Sequence, residues 1–391
     1  MAEPFRILTL NNISSRGLER MPRAQYEVAS GIERPDAVLL RSADMHKIAL
    51  PDSVMAVARA GAGTNNIPVA ALAARGIPVF NTPGANANAV KELVIAGLFM
   101  GVRNIGPAWL FARAQTGDDA AIDAAVEKGK KDFVGSELPG RTLGVIGLGA
   151  IGVEVANCAL ALGMKVLGYD PQITVQRAWE LSSQVQQAAS LDDLFTRSDF
   201  ITVHVPLNDG TRNLVNAARL KLMPPNGVIL NFARGGIVDA TATIAALDSG
   251  QLHAYVCDFP SNALKDHPKV LTLPHLGAST GEAEENCAVM AVEQLKDFLE
   301  NGNVRNSVNF PEATMPRVPG TTRLVIANSN VPNMVGQIST RLAADGVNIA
   351  DLLNKSRGDV AYTLIDADGG VAPATLQSIR AIHGVLTARL I

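Results

Sequence analysis

Aromatic residues make up only 4% of the 391-residue chain, so the interior cannot be aromatic-dense and must rest on Ala, Val, Ile and Leu. Cysteine is scarcer still. Cys158, Cys257 and Cys287 are odd in number and lack CxxC spacing, which excludes a disulfide framework or a zinc site and fits a reducing cytoplasm. No long basic block occurs, and 34 Lys plus Arg against 37 Asp plus Glu leave a net charge of −3. The electrostatic case for nucleic acid is therefore missing. The most apolar helical stretch, around Leu93–Val102, follows Lys91-Glu92 and stops at Arg103-Asn104, too short to cross a bilayer. The start, Glu3 followed by the strand-like Phe5–Leu10, has no basic segment leading into a long apolar one, so no signal peptide is expected. A soluble cytoplasmic protein is expected, without metal, membrane or nucleic-acid partner.

What is abundant is apolar residues, at 47%, and glycine, with 34 positions. That composition forms cores and excludes disordered, collagenous and coiled-coil chains. At roughly 150 residues per domain the length suggests two or three domains. Short strands alternate with helices from Phe5 to Phe80, and again from Thr142 to Leu273, a pattern that implies right-handed βαβ units and parallel sheets. Four strands are expected in the first stretch, at Phe5–Leu10, Ala37–Leu40, Met55–Arg59 and Pro78–Phe80. Residues 310–320 carry Pro311, Pro316 and Pro319 and read as a linker. Beyond them the order strand, helix, strand, strand, helix, strand is the βαββαβ ferredoxin-like arrangement.

The strongest local signal is Gly147-Leu148-Gly149-Ala150-Ile151-Gly152. Glycine-rich turns are common, but this one leaves a buried strand, opens a helix, and precedes a second strand ending at Tyr169-Asp170. Gly147 permits the tight turn, Gly149 lets a pyrophosphate approach backbone N–H groups, and Gly152 lets the helix pack closely. Asp170 would accept both ribose hydroxyls and repel a 2′-phosphate, which favours NAD over NADP. In Asn231–Asp239, Arg234 lies past the carboxyl end of a strand. There it is either a guanidinium that grips a carboxylate bidentately or a surface arginine in a glycine turn. His275, in Pro274–Thr280, suits a base for a hydroxyl proton, or else caps the following helix. His204 is a second candidate by position. Arg41 and Arg59 end neighbouring strands and either converge on a phosphoryl group or are ordinary exposed arginines. Gly61 and Gly63 would let the backbone turn against a substrate.

Together, the stretches 59–67 (RAGAGTNNI), 81–90 (NTPGANANAV), 147–152, 231–239 (NFARGGIVD) and 274–280 (PHLGAST) resemble the D-isomer-specific 2-hydroxyacid dehydrogenases over essentially the whole chain. The resemblance implies two Rossmann-like, doubly wound parallel-sheet domains in an α/β fold. The substrate domain would comprise residues 1–100 with 283–315, and the NAD domain residues 101–282, with the site between them. It further implies NAD-dependent oxidation of 3-phospho-D-glycerate to 3-phosphohydroxypyruvate, the first step of L-serine synthesis, by a homodimer or homotetramer. A different acid such as D-glycerate, glyoxylate or D-lactate, and a non-catalytic NAD-sensing protein, are the alternatives. Arg234 would bind the carboxylate and carbonyl, His275 would be the acid/base, and Arg41, Arg59 and Gly61 would hold the phosphate end. The cofactor would meet Gly147, Gly149, Ala150, Ile151, Gly152, Asp170, Val205, Phe232, Ala233, Asp258 and Gly277.

Residues 320–391 resemble an ACT domain, an amino-acid-sensing module. That implies Asn328, Asn330 and Asn348 as contacts for an L-serine effector across a domain pair, the alternative being a purely oligomerising role. One departure stands out. The family places a Glu shortly before the catalytic His, and here alignment on Phe259-Pro260 puts Asn262 at that position and Cys257 where a cofactor-contacting Asp belongs. The expectation is that His275 works with Asn262 or Asp266, and that Asp258 supplies the cofactor contact after a one-residue shift.

Overall fold

The computed structural model describes residues 3–391. The chain divides into two compact units, one running to Asn86 and resuming over Gly281–Ile391, the other spanning Ala87–Thr280. The first sheet lies in the first unit. Its strands are β1 (Phe5–Leu10), β2 (Tyr26–Ala29), β3 (Ala37–Leu40), β4 (Ala56–Arg59) and β5 (Val79–Phe80), parallel throughout in the order β2-β1-β3-β4-β5. Strand β3 is buried along its whole length, as an apolar run inside a parallel sheet requires. The sheet has one strand more than the four expected. β2 is an edge strand whose Glu27 and Ala29 face solvent, so its apolar signal reduces to little more than Tyr26. Leu40 pairs with Arg59 across β3 and β4, which puts Arg41 and Arg59 at the carboxyl ends of adjacent strands.

The second unit holds β6 (Thr142–Ile146), β7 (Lys165–Tyr169), β8 (Gln186–Gln187), β9 (Phe200–Val203), β10 (Gly227–Asn231), β11 (Leu252–Cys257) and β12 (Val270–Thr272). They form a parallel sheet in the order β12-β11-β10-β9-β6-β7-β8, with the chain reversing direction of growth at β6. Open α/β sheets bind ligands at that reversal, outside the strand carboxyl ends. The apolar helix Ala87–Val102 packs on β10 and β11. It approaches closely because a Cβ at Gly97 would come within 2.7 Å of the Phe232 ring. Among the described residues no single helix is long and apolar enough to cross a membrane.

Back in the first unit, a long helix, Gly281–Asn301, leads to β13 (Thr321–Ser329), β14 (Ile349–Arg357), β15 (Val360–Asp368) and β16 (Val385–Leu390), an antiparallel sheet ordered β14-β15-β13-β16. Helices Met334–Ala344 and Pro373–Arg380 complete βαββαβ. Alternation along the strands sends Leu324, Ile326 and Ile365 into a core with those two helices. It sends Val325, Ala327, Tyr362 and Leu364 the other way, into the core that holds Ile7, Phe80, Leu295 and Phe298. The proline-bearing segment at 310–320 is no loose tether: Phe310, Ala313 and Met315 are buried in that same core. Arg323, fully buried, pairs with Asp366 at 2.7 Å and donates to the carbonyls of Met315 and Pro316 and of Asn301 at the end of the long helix. Arg389 caps the same helix end through the carbonyls of Phe298 and Leu299, and the Tyr362 hydroxyl donates to Gly302 O.

Candidate active site

In the second unit the glycine loop after β6 is built as its spacing predicts. Gly147 has φ +91°, and a Cβ there would lie 2.6 Å from His204 O and 2.9 Å from the Val205 side chain. A Cβ on Gly152 would fall 1.9 Å from Gly147 O, so the third glycine is what lets the helix Ala150–Ala161 start against the strand. Gly149 is different: a Cβ there meets nothing within 4 Å, which leaves its backbone, with Ala150 and Ile151 opening the helix, accessible to a phosphate. Asp170 follows β7 directly. Its Oδ2 accepts from Leu148 N at 2.9 Å and its Oδ1 from Gln172 N at 2.9 Å, so the carboxylate is aimed by the glycine loop itself.

The loop after β10 is held by Asn231, which is fully buried. Its amide oxygen accepts from Ala233 N, and its NH2 donates to Arg234 O and to the Tyr255 hydroxyl. Arg234 is exposed, its Nη1 resting on Ala233 O. The Phe232 side chain points inward against Gly97, so only its backbone reaches the strand end where a cofactor would run.

His275 is exposed, its ring 4.9 Å from that of Phe259. Neither proposed partner is joined to it. Asn262 is exposed and makes no hydrogen bond to His275, and Asp266 pairs with Lys265 instead. The loop that bears them is short and turns them to solvent. The carboxylate beside His275 is Asp258, at the end of β11. It is fully buried, and its Oδ2 accepts from Gly277 N at 3.2 Å, clamping the turn that follows His275. Burial raises the Asp258 carboxyl above its ordinary range, while the Gly277 N–H and the nearby His275 pull it partly back. Asp258 Oδ1 is buried with no hydrogen-bond partner among the described residues. An orphaned acceptor at this sheet's carboxyl end fits a donor brought by a ligand, such as the carboxamide of a nicotinamide. The glycine loop, Asp170 and Asp258 together fit a dinucleotide. His204 does not fit an acid/base role. Its Nε2 lies 2.9 Å from Thr202 Oγ1, its Nδ1 is buried, and desolvation pushes it down to about 3, which keeps it neutral.

In the first unit, Arg41 Nη2 pairs with Glu284 Oε1 at 2.7 Å. Arg59 folds back on its own loop, since a Cβ on Gly61 would lie 2.3 Å from Arg59 Nη1. Burial raises the Cys287 thiol, and Thr82, Arg41 and Arg59 lower it again, with Glu284 opposing them. The two arginines stand at the carboxyl ends of adjacent strands, β3 and β4. Thr82, Glu284 and Cys287 stand in no role that the sequence alone assigns. The only available signal was the three-residue spacing that puts Glu284 and Cys287 on one helix face.

In the C-terminal sheet, Asn328 is buried and donates to Ser329 O, and Asn330 donates to Gly358 O, both where Ser329 pairs with Val360. Asn348 donates to Asp368, which pairs with Thr321 at the opposite end of β13. At 3.4 Å per residue the two ends are roughly 27 Å apart. One chain brings Asn328 and Asn330 together and leaves Asn348 far from both.

Comparison with known proteins bears on the family and the fold. A profile of the "D-isomer specific 2-hydroxyacid dehydrogenase, NAD binding domain" matches residues 101–277. The chain is 34% identical to D-3-phosphoglycerate dehydrogenase of Escherichia coli over 342 residues, covering 84% of this chain and 79% of that one. Its counterpart from Methanocaldococcus jannaschii is 32% identical over 381 residues, or 93% and 68% of the two chains. Among solved structures, NAD+-bound 3-phosphoglycerate dehydrogenase of Entamoeba histolytica superposes with TM-score 0.61 at 27% identity, covering 78% of this chain and 99% of that one. Holo D-mandelate dehydrogenase of Rhodotorula graminis gives 0.68 at 25%, covering 80% and 100%.

Proposed function

The chain belongs to the D-isomer-specific 2-hydroxyacid dehydrogenases, NAD-binding oxidoreductases, and from that premise we propose that its substrate is 3-phospho-D-glycerate, oxidised to 3-phosphohydroxypyruvate. The observation that carries the choice of acid is the placing of Arg41 and Arg59 at the carboxyl ends of the adjacent strands β3 and β4. An acid without a phosphate has no use for two guanidinium groups there. The relatives named D-3-phosphoglycerate dehydrogenase support the same reading.

In this reading Arg234 takes the substrate carboxylate and the oxygen on C2, with Asn231 fixing the loop that carries it. His275 accepts the proton from that hydroxyl as the C2–H bond breaks, and Asp258, clamped to the turn after it, holds a negative charge nearby. NAD, when bound against Gly147–Gly152 and Asp170, supplies the acceptor for the hydride from C2. Arg41, Arg59 and the Gly61 turn hold the phosphate. Residues 1–100 with 283–315 form the substrate domain, 101–282 the NAD domain and 320–391 an ACT-like regulatory domain. L-serine is the proposed effector, and since Asn348 lies far from Asn328 and Asn330 within one chain, its site takes two C-terminal sheets. Exposed Ile105, Trp109 and Leu110, on one short helix of the second unit, favour a homodimer or a homotetramer built from one.

The test is the rise in NADH absorbance with 3-phospho-D-glycerate against D-glycerate, D-lactate and glyoxylate run in reverse. Two charge-assisted phosphate contacts at about 1.5–3 kcal/mol each predict a preference in kcat/KM of roughly 100-fold or more for the phosphorylated acid. Equal rates with D-glycerate would remove the phosphate assignment. No turnover of any 2-hydroxy acid would leave only an NAD-binding protein.

A further inference from the structure

A cavity lies wholly within the first unit, lined by none of the residues assigned to the substrate. It has a volume of about 440 Å³ and is bounded by Met55, Phe298, Val325 and Leu386, with Arg380 and Arg389 in its wall. Its floor comes from the first sheet and the long helix, and its roof from β13 and β16. The turn that leads into β5 already touches β16: a Cβ on Gly76 would lie 2.9 Å from Leu386 and Thr387.

Neither arginine in the wall is neutralised by an acid. Among the described residues neither has a carboxylate within ion-pair distance, although fifteen other ion pairs form elsewhere in the chain. Arg389 spends both Nη groups on the carbonyls of Phe298 and Leu299, and its guanidinium lies 4.8 Å from the Phe298 ring centre. Arg380 uses only Nε, on Ala388 O, which leaves its two NH2 groups for a ligand. Asp52, the one acid at the rim, is fully exposed and bound to Arg75. Burial lowers the affinity of the Arg389 guanidinium for its proton, so its charge is under-compensated. An enclosed positive charge facing an apolar wall is relieved by an anion whose body is apolar.

We propose that this cavity is a binding site for a small organic carboxylate, its carboxylate on Arg380 and Arg389 and its apolar portion against Met55, Val325 and Leu386. The site is separate from the residues assigned to substrate, cofactor and serine. Because its walls come from the first sheet, the long helix and the C-terminal sheet, an occupant ties the three together. The proposal does not rest on the identity of the oxidised acid, and its test reads binding alone.

Calorimetry with 3-phenylpropanoate as the probe is expected to show one ligand per chain, with the uncharged 3-phenylpropanamide at least tenfold weaker. Inorganic phosphate, which has no apolar body, is expected to bind at least tenfold weaker too. Arg380→Gln should weaken the probe about tenfold, and Leu386→Trp, which fills the cavity and leaves both arginines, should abolish binding. Unchanged melting temperatures for those two variants keep misfolding apart from lost contact. Absence of binding to the unaltered protein overturns the proposal. So does binding that survives both substitutions, which would place the probe on Arg234, and so does equal binding of acid and amide.

Discussion

Replacing Arg323 by methionine isolates the bond that fixes the C-terminal sheet. The side chain is fully buried and makes five hydrogen bonds, two to Asp366 and one each to Asn301, Met315 and Pro316. Methionine has nearly the same length and leaves the Asp366 carboxylate buried without its partner, a loss that typically costs about 3–5 kcal/mol. The unit containing it has roughly 200 residues, and at about 2.1 cal/mol/K per residue its unfolding entropy is near 0.4 kcal/mol/K, so the expected fall in melting temperature is about 7–12 °C. Differential scanning calorimetry should show that shift in the transition of the first unit. The effect has a definite pH dependence. Burial by itself would raise the Asp366 carboxyl, yet hydrogen bonds from Arg323 and Val318 N hold it below its ordinary range. A depressed carboxyl contributes its stability fully above the unfolded value near pH ~4 and loses it as pH falls through the folded one. The gap between Arg323→Met and the unaltered protein should therefore narrow below about pH 4. Arg323→Met with Asp366→Leu should recover most of the loss, because the stranded charge is gone. A fall of less than about 1 kcal/mol, or a double variant no more stable than the single one, would refute the reasoning.

Other outcomes follow from the same geometry. Gly152→Ala drives a methyl group to 1.9 Å from Gly147 O, so NAD affinity measured by calorimetry should fall at least about tenfold while the first unit melts unchanged. Asp258→Asn removes the negative charge beside His275, which should lower kcat about tenfold or more and move the acidic limb of the pH–rate profile to lower pH. Asn262→Ala should leave both within about twofold, and the reverse pattern would hand the positioning role to Asn262. Glu284→Gln frees Arg41 from an ion pair whose members are 39% and 44% exposed. Such pairs are worth about 0–1 kcal/mol, so KM for 3-phosphoglycerate should fall by up to about fivefold and that for D-glycerate should not move.

Much of this was legible from the chain alone, for identifiable reasons. Strands such as Ala37–Leu40 and Gly227–Asn231 are continuous apolar runs, and the glycine loop is dictated by contacts as short as the one at Gly152, so both leave strong local marks. Edge strands do not. Gln186–Gln187 is fully exposed and has no apolar pattern to read. The linker reading failed because three prolines signal the end of regular structure equally well in a tether and in a strap. What fixes 310–320 is Arg323, and its bonds to Met315 and Pro316 follow from a fold that is set elsewhere. That neither Asn262 nor Asp266 is hydrogen-bonded to His275 has a related reason. Alignment to a motif moves residues along the sequence, whereas the side chain that reaches the turn at Gly277 is decided by where β11 ends.

The long helix ends on borrowed donors. Its carbonyls at Phe298, Leu299 and Asn301, and that of Gly302 just beyond it, are bonded by side chains from the C-terminal sheet. That dependence makes the final seventy residues inseparable from the rest in a practical sense. A gene cut after Pro316 would yield a protein with a frayed helix and with Phe298 and Phe310 newly wet, prone to clump on expression. A lineage that shed this sheet would first have had to supply its own donors for that helix end, so loss of the sheet in relatives should travel with a rebuilt helix terminus.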